Sequence, residues 1–121
     1  MGSGQSSKPY KVQYHHKAVE ELAALRDKRA LKAILTIVDI LARLGPKTVE
    51  PHSKAIKGAR KLRELRPGGG QVAVRPIYLQ LDAETFEVLA IGPEAIVDRK
   101  GFAAAVLRAR ERAKHDHGVD A

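Results

Sequence analysis

Apolar and polar residues alternate where ordered structure is expected to begin, with Tyr10, Val12 and Tyr14 separated by Lys11 and Gln13. A period of two residues is typical of a half-buried strand. We therefore predict a short strand over residues 10–14, preceded by a disordered leader at residues 1–8.

The next apolar residues recur at helical spacing in two successive segments. The first helix has Ala18, Leu22 and Leu25 on one face, and the charged residues 26–29 separate it from the second. The second helix carries an apolar stripe at i, i+3, i+4, i+7 and i+10, formed by Leu31, Ile34, Leu35, Val38 and Leu41. Ile37, Ile40 and Leu44 widen this stripe, so we expect the helix to be buried on much of its surface. Gly45-Pro46 should end the helix.

The middle of the chain is predicted as strands joined by turns. Residues 46–58 have no clear period and are interpreted as a loop, whereas residues 61–66 are strand-like but heavily charged. Residues 67–70, Pro-Gly-Gly-Gly, form a turn. A long strand should follow over residues 71–81, and Pro76 either weakens it or places it at an edge.

The last third predicts one more strand and one more helix. Residues 85–91 are apolar and end at Gly92-Pro93. Asp98 is a suitable N-cap for a final helix whose apolar positions are Phe102, Val106, Ala109 and Ala113. The polar tail from His115 is expected to fray.

The order strand, helix, helix, three strands, helix indicates an α+β fold. We expect the two N-terminal helices to pack on a small, mainly antiparallel twisted sheet, followed by a C-terminal helix. The first strand can pair in parallel with a later one through a crossover. We predict one domain over residues 9–115, with a flexible tail at 116–121.

Charge is the strongest compositional signal in this chain of 121 residues. Lys and Arg number 22 against 14 Asp and Glu, which gives a net charge of +8. Such a bias favours a polyanionic partner or an acidic protein, with a merely soluble basic protein as the alternative. The absence of cysteine excludes disulfides and thiolate zinc sites and fits a cytoplasmic location. No apolar run approaches the ~20 residues that span a bilayer, so no membrane partner is expected.

Several segments resemble toxins of the RelE/ParE superfamily, of the HigB-like type. Residues 10–22 are similar to the superfamily's opening strand and helix. Leu62-Arg63-Glu64-Leu65-Arg66 resembles a Leu-x-Glu-Leu-Arg strand, and Val74-Arg75-Pro76-Ile77-Tyr78 resembles a Tyr-Arg-x-x-Tyr strand. The resemblance implies a RelE-like fold. It also implies a cognate antitoxin with a DNA-binding domain as partner.

The resemblance further implies a ribosome-dependent mRNA endoribonuclease that needs neither metal nor small-molecule cofactor. In that reaction a ribose 2′-OH attacks the adjacent phosphate, which requires a base and cations around the phosphorane. Glu64 and Arg66 share one face of their strand. If Arg75 points to the same face, Glu64 is the candidate base and Arg75 and Arg66 are candidate phosphate clamps. The alternative is an ordinary cross-strand ion pair.

Two basic sets are candidate contacts to mRNA and the ribosome. The first surrounds the charged strand and comprises Lys54, Lys57, Arg60, Lys61 and Arg63, with Arg66 at its end. The second begins at Arg99 and Lys100 and continues along the last helix. Either set is alternatively a solvated surface. A metal site is not predicted, because His115 and His117 with Asp116 lack a defined further ligand in a fraying tail.

The late basic residue and late tyrosine of the toxin family are missing from their usual positions. The chain has Gly92-Pro93-Glu94-Ala95 after its last strand, followed by Asp98-Arg99-Lys100-Gly101. This departure favours a second hypothesis, a ParE-like protein that poisons DNA gyrase by binding. A third is a catalytically inactive homologue that binds other proteins.

Overall fold

The computed structural model describes residues 8–121, which form one five-stranded sheet and three α-helices. In chain order the elements are β1 (Lys11–Tyr14), α1 (His16–Ala23), α2 (Lys28–Leu44), β2 (Ser53–Ile56), β3 (Ala59–Leu65), β4 (Val74–Gln80), β5 (Thr85–Pro93) and α3 (Arg99–His117). The predicted α+β class with a C-terminal helix is confirmed. Apart from Lys8, the expected leader lies outside the described residues.

The sheet has the order β1-β5-β4-β3-β2, so the last four strands form an antiparallel meander. β1 pairs in parallel with β5, and its Lys11 and Tyr14 lie opposite Thr85 and Val88. The predicted parallel crossover is therefore confirmed. It brings the start of the chain next to the last strand.

β2 is an element that the sequence pattern missed, since residues 46–58 were expected to be a loop. The strand has four residues, and only its ends, Ser53 and Ile56, are buried. A bulge between Ala55 and Ile56 breaks the pairing with β3. A short, bulged edge strand leaves no alternation to detect, because its outer side faces solvent.

α1 and α2 cover one face of the sheet, and α2 buries a narrower stripe than predicted. Ala30, Ile34, Ile37 and Leu41 are buried, whereas Leu35 is 54% exposed and Leu44 is 41% exposed. The expectation of burial is therefore wrong for Leu35 and Leu44. Asp27 caps the helix through its Oδ1, which accepts hydrogen bonds from Arg29 N and Ala30 N.

α2 ends at Gly45 as predicted, and the reason is both steric and conformational. Gly45 has φ +55°, and a Cβ at this position would lie 2.5 Å from the ring of Tyr10. A side chain is therefore excluded on two counts. Tyr10 is held against this corner by a backbone hydrogen bond from its N to Ala42 O.

α3 covers the opposite face of the sheet through three buried alanines, Ala105, Ala109 and Ala113. A Cβ at Gly92 would lie 2.5 Å from the Cβ of Ala105, so the helix packs directly on the backbone of β5. The helix continues to His117 and ends at the left-handed Gly118. The expectation of fraying from His115 is wrong. None of the helices within residues 8–121 has the length and apolar character to cross a bilayer.

Pro76 lies in a central strand rather than at the edge of the sheet. Pairing between β3 and β4 runs from Leu62 opposite Leu79 to Glu64 opposite Ile77 and stops there. On β4 Pro76 is opposed only by Ile91 of β5. The missing proline N–H therefore costs no ladder hydrogen bond on the β3 side.

Candidate functional site

Glu64, Arg66 and Arg75 meet at one end of the sheet, on the face covered by α3. Glu64 lies opposite Ile77, and Arg75 is two residues from Ile77 on the same face of β4. The Arg66 Nη1 donates to Glu64 Oε1 at 3.0 Å, and the Arg75 Nε lies 3.4 Å from the same oxygen. The two arginines thus converge on the Glu64 carboxylate, as the strand pattern suggested.

Arg75 is completely buried, whereas a phosphate clamp would have to reach solvent. Its Nη1 donates to Val72 O at 2.5 Å and to Val74 O at 3.1 Å. Its Nη2 donates to Gly70 O at 3.3 Å and forms an ion pair with Glu94. The turn at Pro67–Gly70 and the loop after it fold over the Arg75 guanidinium, and their carbonyl oxygens accept its hydrogen bonds.

Burial lowers the pKa of Arg75, and the carboxylates of Glu94 and Glu64 act against this shift. The Arg75 Nε has no partner with hydrogen-bond geometry among the described residues, so its contact with Glu64 at 3.4 Å is electrostatic. A buried guanidinium stays charged only with such compensation. The Arg75 guanidinium therefore interacts with groups inside the protein rather than with solvent.

Glu94 is a member of this cluster that the sequence analysis gave no structural role. It follows β5 in the position where the family resemblance led us to expect a basic residue. Its carbonyl oxygen accepts from Val97 N and Asp98 N at 3.0 and 2.9 Å, which fixes the turn before α3. Glu94 and Glu64 balance Arg75 and Arg66, and the cluster is electrically neutral.

The solvent-facing part of the cluster is a rim formed by Lys54, Glu64 and Arg66. The side chains of Glu64 and Arg66 are 13% and 27% exposed, and that of Arg75 is 0% exposed. Lys54 lies opposite Glu64 on the edge strand β2 and is exposed. The rim is therefore accessible from solvent, whereas Arg75 is not.

The predicted nucleic-acid contacts do not form one patch. Lys61 and Arg63 lie on the opposite face of β3 from Glu64, because neighbouring residues of a strand point to opposite faces. Lys57 lies in the turn between β2 and β3, and Arg60 is exposed at the start of β3. Arg99 and Lys100 are exposed at the start of α3. The β2–β3 hairpin therefore carries cations on both sides of the sheet edge.

The basic set along α3 is partly neutralised within the protein. Arg108 and Arg112 both bind Glu21 Oε2, at 3.1 and 2.7 Å. The other oxygen of Glu21 accepts a hydrogen bond from Ile91 N at 2.9 Å. These residues join α1, β5 and α3, so they stabilise the fold rather than present charge.

His15 and His16 lie beside Asp116, although the sequence placed these residues at opposite ends of the chain. Within residues 8–121 their potential ligand atoms lie within 4.8 Å of one another. His15 Nδ1 accepts a hydrogen bond from Lys17 N at 3.1 Å, and its Nε2 lies 2.7 Å from Asp116 Oδ2. The neutral ring must then carry its proton on Nε2. That nitrogen therefore has no lone pair for a metal, and the cluster caps α1.

The cap at His15 predicts a loss of stability in mild acid. Burial lowers the pKa of His15, so its neutral form is favoured in the folded state. The stabilisation is complete above pH ~6.5, the unfolded value, and is lost as the pH falls through the lower folded pKa. Protonation removes the acceptor for Lys17 N, which is worth about 1 kcal/mol. Urea unfolding between pH 8 and pH 5 measures this loss.

His15→Asn should abolish that part of the pH dependence, because an asparagine oxygen caps the helix at every pH. His52→Asn is the matched control and should retain it. An identical pH profile for wild type and His15→Asn would contradict the assignment of the cap.

Comparison with known proteins places this architecture among toxins. No family model and no curated protein matches the chain. Among solved structures it is similar to an arginine-to-alanine double mutant of E. coli toxin RelE in the free state, with a TM-score of 0.58 and 14% identity over 83% of this chain and 97% of that chain. The chain thus has the fold of RelE-like toxins.

Two further structures agree with this fold. A chain of an archaeal RelE–RelB complex from Pyrococcus horikoshii has a TM-score of 0.52 and 25% identity over 70% of this chain and 94% of that chain. A YoeB–YefM complex from Staphylococcus aureus gives a TM-score of 0.53 and 14% identity, with 68% and 93% of the two chains covered. These similarities support the RelE-like fold of this chain.

Proposed function

We propose that the chain is the toxin of a type II toxin–antitoxin pair and cleaves mRNA on the ribosome without a metal ion. The observation that carries the proposal is the Glu64–Arg66 hydrogen bond at the accessible rim of a RelE-like sheet. The motif of residues 62–66 further suggests the HigB-like branch.

The proposed reaction needs a proton acceptor next to a phosphate-binding cation. The Glu64 carboxylate takes the proton of the ribose 2′-OH, whose oxygen attacks the adjacent phosphorus while the bond to the 5′-oxygen breaks. Arg66 binds the non-bridging oxygens, where negative charge develops. Lys54, on the neighbouring strand, adds a second cation. The leaving 5′-oxygen is protonated from solvent.

Arg75 is a positioning residue in this proposal, not a catalytic one. It lies behind Glu64 on the buried side and touches the oxygen that also binds Arg66. A fixed cation there holds the carboxylate in one orientation, which is how a second layer of residues preorganises a site. This revises the expectation that Arg75 itself clamps the phosphate.

The cations around the β2–β3 hairpin supply the affinity for RNA in this proposal. Lys57, Arg60, Lys61 and Arg63 are distributed over both faces of the sheet edge, and Arg99 and Lys100 are exposed at the start of α3. A net charge of +8 steers the chain toward ribosomal RNA. Binding should therefore weaken strongly as salt increases.

An antitoxin is the second proposed partner, because two of the similar structures are toxin–antitoxin complexes. The archaeal RelE and the staphylococcal YoeB were both solved with their antitoxins, RelB and YefM. We infer an antitoxin with an acidic segment that covers part of the basic surface, and with a DNA-binding domain. Both proteins would act in the cytoplasm.

The second candidate function is binding without catalysis. The chain would then be either a ParE-like gyrase poison or an inactive RelE-fold binding protein. The burial of Arg75 and its neutralisation by Glu94 favour this candidate, since the arginine that resembles the family motif is withdrawn from solvent. In such a protein the ion-pair cluster stabilises the end of the sheet and has no catalytic role.

Induction in cells followed by mapping of mRNA ends separates the two functions. The nuclease predicts growth arrest with new 5′ ends inside translated reading frames, which disappear when ribosomes are removed from the message. Glu64→Gln is the control and should leave the messages intact. Intact mRNA accompanied by DNA damage would instead support the gyrase poison.

A further inference from the structure

A polar cavity of about 190 Å³ lies on the opposite face of the sheet from Glu64. It is bordered by the end of α2 and by strands β3 and β4. Its cationic lining residues are Arg60, Lys61 and Arg63, and Thr48 and Tyr78 contribute hydroxyl groups. Among residues 8–121, no carboxylate lines this cavity. The proposed nuclease site has no part in it.

Thr48 gives the first sign that the cavity takes a ligand. The residue is 2% exposed, and its Oγ1 has no hydrogen-bond partner among residues 8–121. A buried hydroxyl without a partner is destabilising, by more than an ordinary hydrogen bond stabilises. An acceptor placed in the cavity would satisfy it.

A second donor arises from the hydroxyl pair of Ser53 and Tyr78, whose oxygens lie 2.7 Å apart. The Arg63 Nε donates to Ser53 Oγ at 2.8 Å, so Ser53 already accepts one hydrogen bond. One hydroxyl hydrogen lies between the two oxygens, and the other has no acceptor within the described part of the chain. Burial raises the pKa of Tyr78, which keeps its phenol a donor.

Arg63 supplies positive charge to the cavity. Its Nε is used by Ser53, while its two terminal amino groups have no acceptor among the residues that the structure describes. With Arg60 and Lys61 beside it, the cavity offers three cations and two hydroxyl donors but no competing anion. This donor set suits an oxyanion, because a guanidinium binds phosphate oxygens through two parallel hydrogen bonds.

We propose that this cavity binds a phosphate group, held by Arg63, Thr48 and the Ser53–Tyr78 pair. A water molecule occupies about 30 Å³ in the liquid, so the cavity has room for a phosphate and accompanying water. The phosphate belongs either to an RNA backbone or to a free monoester such as a nucleotide. The site does not depend on RNA cleavage, since it lies on the other face of β3.

Titration of the full chain with inorganic phosphate, followed through amide chemical shifts, tests the proposal. Wild type should bind phosphate saturably, with the largest shifts at Thr48 and Arg63. Arg63→Gln should weaken binding about 10- to 100-fold, the usual effect of losing charged hydrogen bonds. Thr48→Val should weaken it about 2- to 10-fold while its Tm stays equal or rises, because no protein hydrogen bond is lost.

Arg26→Gln is the matched control, since it removes the same charge beyond the N-terminal end of α2, whereas the cavity borders the C-terminal end, and it should change phosphate affinity less than about twofold. Equal weakening by Arg63→Gln and Arg26→Gln, or an unchanged affinity in Thr48→Val, would overturn the proposal. Competition by a short RNA oligonucleotide assigns the phosphate to an RNA backbone. Competition by a nucleoside 5′-monophosphate alone assigns it to a free monoester, and both results support the site.

Discussion

Arg75→Ala is expected to lower the free energy of unfolding by about 3 to 5 kcal/mol, the usual cost of breaking a buried ion pair from one side. The substitution leaves Glu94 without its partner, and it exposes the carbonyl oxygens of Val72 and Gly70 to a void rather than to a donor. A small domain has only about 5 to 15 kcal/mol in total. A large share of the variant's stability should therefore be lost.

Urea unfolding of Arg75→Ala beside Arg66→Ala measures this effect. Arg66 binds the same Glu64 oxygen but is 27% exposed, so its removal should cost no more than about 1 kcal/mol. Arg75→Ala with the stability of wild type would show that the cluster does not stabilise the fold. A second measurement is the double variant Arg75→Ala/Glu94→Ala. It should lose less than the two single variants added together, since the pair is coupled.

This expectation changes how toxicity assays of Arg75 variants must be interpreted. Loss of toxicity in Arg75→Ala follows from unfolding alone and is no evidence for a catalytic role. Substitutions at the accessible rim, where Glu64 and Arg66 lie, are the informative ones.

The sequence pattern predicted the layers of this fold better than the details of their contacts. The helical period located α2, but the orientation of the helix depends on the sheet that it meets, and Leu35 was placed in the core although it is 54% exposed. β2 was missed because a four-residue edge strand with a bulge has no period. The spacing of apolar residues along the chain predicts neither the orientation of a helix on its sheet nor an edge strand without a period.

The same limit applies to the candidate site. The period of two residues predicted that Glu64 and Arg66 share a face, and Arg75 joined them through the strand register. The burial of Arg75 was not predictable, since it depends on Glu94, nineteen residues away, and on a loop that folds back. The only sequence signal was Glu94 itself, an acidic residue where a basic one was expected. The phosphate cavity has a similar origin, because Ser53 and Tyr78 are distant in sequence.

If the chain cleaves RNA, Glu64→Gln should reduce the cleavage rate by about 10²- to 10⁴-fold, the range that a general base contributes. Glutamine has the shape of glutamate and keeps one oxygen for Arg66, so the rim should retain its geometry. Its amide is not basic and cannot accept the 2′-OH proton. Single-turnover cleavage of a defined mRNA on purified ribosomes measures the rate, and cosedimentation with ribosomes should be unchanged.

Glu94→Gln is the matched control: it also removes one carboxylate charge beside Arg75, but away from the rim, and should cleave within about tenfold of wild type. Equal loss in both variants would show that the cluster acts only through the fold. Cleavage by Glu64→Gln at the wild-type rate would move the base away from this rim.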